Sequence, residues 1–286
     1  MSFHIDKHEA PESEFRRVLC GQLTRAIKEL NQSSPALQAR TVHQVRKRIK
    51  KIRSVLRLLH FASPRAIPQA YHTPLRKAAE EIAAIRDAFA DARTMAALCK
   101  HTSIAPSRFT GVFKFLAQGQ KTASAGSGAA MHKAAALLTS ARSAMEKWED
   151  DHLKWHDLPR GVARIYKRCH TSFRKASGEK SAENLHRWRR RTKDVLHILL
   201  LLKKRGPKKA ISKHTHHARK LCVLLGKDHD LVHLRETLDQ CAIGVETETL
   251  NELIHSRRLK LQDKIMKLGP KLLAEKSKDF AAECLG

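Results

Sequence analysis

Slid against itself by 143 residues, the chain repeats. His43 falls on His186, Arg46 on Arg189, Arg48 on Arg191 and Lys50 on Lys193. In the same ungapped register Leu56, Leu58 and Leu59 fall on Leu199, Leu201 and Leu202. Arg76 and Lys77 fall on Arg219 and Lys220, and Asp87 falls on Asp230. Basic matches come easily in a Lys/Arg-rich chain, so the rarer His and Asp coincidences carry the argument. A duplication restricts the fold to two similar units sharing one architecture. The boundaries it implies are a first half at 10–157 and a second at 158–276, inside a single domain spanning 1–286.

Both units read as helical. Apolar residues recur at helical spacing through almost the whole chain, which predicts about eight helices, at 11–31, 36–61, 69–101, 129–157, 159–177, 181–204, 207–243 and 246–275. Turn chemistry separates them: SSPAL at 33–37, ASPRAIP at 62–68, SGEKSAEN at 177–184 and RGP at 205–207. The Gly/Ala/Ser-rich segment 119–130 reads as a flexible loop, and 103–118 as a short helix or an irregular excursion. The expected fold is therefore all-α. It consists of two pseudo-symmetric four-helix bundles, with equivalent helices facing a shared basic channel.

Charge decides what such a fold would meet. There are 56 Lys and Arg against 28 Asp and Glu, a formal net charge of +28. That much self-repulsion opposes compaction and favours an anionic partner: nucleic acid, an acidic membrane surface or a phosphate polymer. No apolar run is long enough to cross a bilayer, since Val195 to Leu202 is short and interrupted by His197. The polar N-terminus shows no signal peptide. The six cysteines, Cys20, Cys99, Cys169, Cys222, Cys241 and Cys284, lack C-x-x-C spacing. They fit reduced thiols in a cytoplasmic protein better than disulfides or a zinc site.

The repeated helix carries the chemistry. Over 42–59, Val42, Val45, Ile49, Ile52, Leu56 and Leu59 form an apolar stripe. His43, Arg46, Lys50, Arg53 and Arg57 form a second stripe about 100° away, running ~21 Å along the axis. The second copy sets Leu185, Trp188, Val195, Leu199 and Leu202 beside His186, Arg189, Lys193 and His197. Stacking like charges at helical spacing costs stability. Its duplication beside the core implies an anion laid along both stripes. Arg supplies bidentate bonds to phosphate oxygens and Lys compact charge. Arg48 and Lys51 point away and read as surface charges.

The H-x-x-R-x-x-x-K pattern in both stripes, the segment 161–193, IRDAFAD at 85–91 and LGKDHDL at 225–231 together resemble the CHAD family, the conserved histidine α-helical domain. The resemblance covers nearly the whole chain. It implies paired four-helix bundles whose basic cavity binds inorganic polyphosphate without catalysis, with no cofactor. Some members associate with polyphosphate granules and others are fused to CYTH domains, whose E-x-E-x-K signature is absent here. The resemblance marks both His-Arg-Lys stripes as binding positions and adds Arg164, Lys167 and Arg168. Arg76, Lys77, Arg219 and Lys220 are further candidates. Asp87 and Asp230 are expected to support the site by pairing with them. The chain has Leu196 where the family often has Arg, and His197 where Tyr is common, which implies a looser second half.

Two other readings stay open. A non-specific nucleic-acid binder is supported by charge alone, with no zinc-finger, RRM or KH signature and few aromatics for stacking. His229-Asp230 invites comparison with HD phosphohydrolases, but the register sets Arg86 opposite His229, so the dyad is not duplicated. The HTHH run at His214, His216 and His217 could ligate a metal but reads rather as surface histidine near a helix end. Channel histidines with ordinary titration would raise anion affinity as pH falls.

Overall fold

The structure, a computed structural model, describes residues 3–6, 9–34, 37–63, 71–149, 152–240 and 244–286. Residues 64–68 of the expected turn 62–68, residues 35–36 of the turn 33–37 and Cys241 lie outside these. Among the described residues there are no strands. The helices are α1 Pro11–Asn31, α2 Gln38–Ala62, α3 His72–Glu81, α4 Ala83–Thr102, α5 Thr110–Ala125, α6 Ser127–Glu146, α7 Leu158–Gly178, α8 Ala182–Leu201, α9 Lys208–Leu238, α10 Gly244–Leu272 and α11 Ser277–Leu285. No helix among the described residues is long and apolar enough to cross a membrane.

The apolar stripes became the core. Val42, Val45, Ile49, Ile52, Leu56 and Leu59 are buried on α2, as are Leu185, Trp188, Val195 and Leu199 on α8 and Leu202 just after it. In the first half α1 packs on α2 and α6, and α4 on α5. In the second, α7 packs on α8 and α11, and α9 on α10. The halves meet through α2 against α7 and α8, and through α4 against α9. Ser181 caps α8 by accepting from the Asn184 amide at 3.3 Å, where the sequence places a turn.

Four elements differ from the sequence reading, the first being the expected helix 129–157, which ends at Glu146. Segment 119–130 is not a loop: α5 runs to Ala125 and α6 starts at Ser127, with only Gly126 between them. Alanine's helix propensity prevails there, and α6 buries Met131, Ala134, Leu138, Ala141 and Met145. The predicted helix 69–101 is broken at Ile82 into α3 and α4, whereas α9 is continuous. The C-terminal helix α11 was not expected. It buries Phe280, Ala281 and Cys284.

Close helix approach in the fold depends on Gly161 of α7. A Cβ there would sit 2.7 Å from the Leu58 carbonyl oxygen and 3.2 Å from the Ala62 nitrogen of α2. Gly161→Ala gains about 1 kcal/mol of helix propensity but forces α2 and α7 apart, at a cost of about 1–3 kcal/mol. We expect a net loss in chemical denaturation. Unchanged or increased stability would show that the helices separate freely.

Candidate functional site

Helices α2, α4, α8 and α9 surround a cavity of about 210 Å³. Because each basic stripe borders an apolar one, burying the apolar side turns the charges inward where α2 and α8 meet. Arg46, Lys50, Arg53, Ser54 and Arg57 enter from α2, and Arg86 from α4. His186, Arg189, Arg190, Arg191, Lys193, Asp194 and His197 enter from α8, and His229 from α9. Nine of these are Arg or Lys, against the single carboxylate of Asp194.

A polar knot fixes the floor. The Ser54 hydroxyl lies 2.9 Å from both Asp194 Oδ1 and His197 Nδ1. Arg57 donates to Asp194 Oδ1 at 2.5 Å, and Arg191 reaches Oδ2 at 3.5 Å. Ser54 and His197 are equivalent positions in the 143-residue register, so equivalent residues touch here. On the far wall Arg86 bridges Asp87 at 2.7 Å and Asp230 at 2.9 Å. These bonds outweigh burial and raise its pKa. Arg46 donates to the Ala79 carbonyl at 2.6 Å, in the last turn of α3, where helix carbonyls need outside donors.

The remaining cations are poorly compensated. The Nε atoms of Arg46, Arg53, Arg57 and Arg189 are buried and donate no hydrogen bond. Burial, then Lys193 and Arg189, pushes Lys50 down to about 6. Burial and Arg189 push Lys193 down to about 8. The histidines titrate far from their ordinary range. Burial, with the neighbouring cations, lowers His186 to about 4, His197 to about 3 and His229 to about 2. The expectation that channel histidines charge near neutral pH is therefore corrected for His186 and His197, which are neutral there; His229, which was not expected in the channel, is neutral as well. His186 and His229 share a hydrogen bond of 3.2 Å between their Nδ1 atoms.

The profile of the CHAD domain matches residues 21–239. The chain belongs to the CHAD domain family. The CHAD fold also aligns with the crystal structure of the CHAD domain from the plant Ricinus communis, with a TM-score of 0.68, 19% identity and 94% of each chain covered. No curated protein matches the chain.

In this CHAD domain eight expected positions line the cavity: Arg46, Lys50, Arg53, Arg57, His186, Arg189, Lys193 and His197. His43 is exposed outside it, and partial burial, then Arg93, Lys47 and Lys50, lowers its pKa. Arg164, Lys167 and Arg168 line an adjoining groove that shares Arg190 and Arg191 with the cavity. Arg76 lies in a shallow cleft with Arg53 and His72. Lys77, Arg219 and Lys220 are exposed and do not line the cavity. Asp87 and Asp230 pair with Arg86 and not with the expected Arg76, Lys77, Arg219 and Lys220, because Arg76 and its neighbours face outward. Arg48 turns away to Glu29 at 2.6 Å, whereas Lys51 is partly buried over the Phe3 ring.

Sequence reasoning missed Arg86, Ser54, Arg190, Arg191, Asp194 and His229. For two pairs a signal was present. Arg86 and His229 are register equivalents, as are Ser54 and His197, and all four reach the cavity.

Proposed function

We propose that this CHAD domain binds inorganic polyphosphate in the cavity between α2, α4, α8 and α9 without catalysing a reaction on it. The carrying observation is the set of four buried guanidinium Nε donors without acceptors, among nine cations and one carboxylate. Phosphate oxygens supply both the acceptors and the charge such a set requires. A linear polymer also suits the surroundings. Arg190 and Arg191 lead from the cavity to the Arg164–Lys167–Arg168 groove, and Arg53 leads to the cleft at Arg76. The contact between Ser54 and His197 supports a pseudo-symmetric relation of the two halves about this point. Such binding would attach the protein to polyphosphate granules in the cytoplasm.

Two alternatives receive less support. No Phe, Tyr or Trp lines the cavity among the described residues, so nucleic-acid bases would have no stacking platform there. A phosphohydrolase built on His229-Asp230 would need Asp230 free to hold a metal, yet Arg86 engages it.

The test is binding of long-chain polyphosphate across a salt series, with duplex DNA as competitor. An Arg46/Lys50/Arg189/Lys193 quadruple alanine variant serves as control. Binding that survives DNA, weakens with salt and disappears in the variant is expected. Equal competition by DNA, or full binding by the variant, would overturn the proposal.

A further inference from the structure

A second constellation lies away from the cavity, where α11 returns to the start of α9. His214 of α9 is buried, with 1% exposure. Its Nε2 stands 3.1 Å from Glu283 Oε2 on α11 and 3.6 Å from Glu275 Oε2 in the turn between α10 and α11. The three atoms all lie within 4.8 Å of one another. Two atoms each about 2.1 Å from a tetrahedral zinc are about 3.4 Å apart, and the two His–Glu distances bracket that value.

The surroundings hold this geometry. The Glu275 amide donates to the Tyr166 hydroxyl at 3.3 Å, and that hydroxyl donates to the Leu272 carbonyl at 3.1 Å. Tyr166 stacks on Phe280 with centroids 4.0 Å apart, and Phe280 meets the His214 ring edge at 4.8 Å. The same aromatic column thus packs beside two of the three groups, while His214 Nδ1, on the far side of the ring, is buried without a hydrogen-bond partner. Glu275 Oε2 is buried and accepts no hydrogen bond. Lys213 pairs with the opposite oxygens, Oε1 of Glu275 at 3.2 Å and Oε1 of Glu283 at 3.6 Å, leaving both Oε2 atoms facing the imidazole.

We infer that His214, Glu275 and Glu283 form a zinc site that clips α11 to α9. One imidazole with two carboxylates suits Zn²⁺ better than Mg²⁺ or Ca²⁺, which prefer all-oxygen sets. Two glutamates neutralise the divalent ion. Lys213, half exposed, competes with it for the same carboxylates.

Zn²⁺ is titrated into the metal-stripped full-length chain by calorimetry, without polyphosphate. The expected result is one ion per chain, with affinity weakened about 10–100-fold in Glu275→Gln and in Glu283→Gln and strengthened in Lys213→Met. A His216→Gln/His217→Gln double variant, altering only neighbouring histidines, is expected to bind like the parent. Helical circular dichroism verifies that each variant is folded. Absence of binding, binding indifferent to both glutamate variants, or binding lost only in the His216/His217 variant would overturn the inference. A Lys213→Met variant with weakened affinity would show the lysine to be part of the constellation and would also overturn it.

Discussion

Lys50→Met is expected to make the unliganded protein more stable and polyphosphate binding weaker. Lys50 is buried on α2 among Lys193, Arg189, Arg46 and Arg86, and its pKa is pushed from an ordinary 10.5 to about 6. At neutral pH the folded chain therefore holds it largely neutral while the unfolded chain protonates it. The sign follows from proton counting. Between about 6 and 10.5 the unfolded state binds more protons, so the stability of the unliganded chain rises with pH across that window. The penalty is complete below pH 6 and fades toward 10.5. Methionine has a similar length and carries no charge. At pH 7 the linkage limits this gain to about 5 kcal/mol, raising Tm by up to about 10 °C, and the gain shrinks as the melt is repeated at higher pH.

Binding moves the other way. An anion beside Lys50 raises its pKa, so the complex takes up protons as it forms near neutral pH. Wild-type affinity is then greatest below about 6 and falls as pH rises, by up to about tenfold per unit for each proton taken up. Loss of one charge-assisted contact weakens the variant by about 10–100-fold and removes Lys50's share of the pH slope. Lys193, at about 8, keeps a share of its own. Thermal melts and polyphosphate titrations over pH 6 to 9 measure both effects. A variant that is less stable at pH 7, or one with the wild-type pH slope, would show that Lys50 is not the strained cation of the cavity.

The same strain explains what the sequence could and could not reveal. The stripes on α2 and α8 were legible because helical periodicity fixes direction: a residue about 100° from a buried apolar row must lie at the edge of the core. Periodicity says nothing about which edge closes against another helix. Arg76 and Lys77 repeat as Arg219 and Lys220 as faithfully as the stripe does, yet they face outward. Repetition in the sequence does not imply equal burial in the fold. Arg86 and Asp194 depend on tertiary contact: Arg86 reaches Asp230 on another helix, and Asp194 reaches Ser54 and Arg57. The break at Ile82 was likewise settled by packing, of α3 on α6, whereas the helical course of 119–130 was open to composition, because its alanines favour helix although its glycines and serines read as a loop.

Asp194→Ala is expected to be the most damaging single change in the cavity, and polyphosphate should partly reverse the damage. Asp194 is 4% exposed and is the only carboxylate lining the cavity among the described residues. It accepts from Ser54 and Arg57 and pairs with Arg191. Removing it leaves Arg57 and Arg191 facing Arg53 and Arg190 with no counter-charge between them. Breaking one side of a buried pair typically costs about 3–5 kcal/mol, which corresponds to a Tm loss of about 10 °C. A polyanion supplies negative charge at the same place, so saturating polyphosphate should raise the Tm of the variant by more than it raises that of the wild type. Asp194→Asn keeps the shape and an acceptor for Ser54, and should fall between the two. Equal ligand-induced shifts in variant and wild type would mean that the bound anion lies away from Asp194, in the outer groove at Arg164 and Lys167 instead of the cavity between α2 and α8.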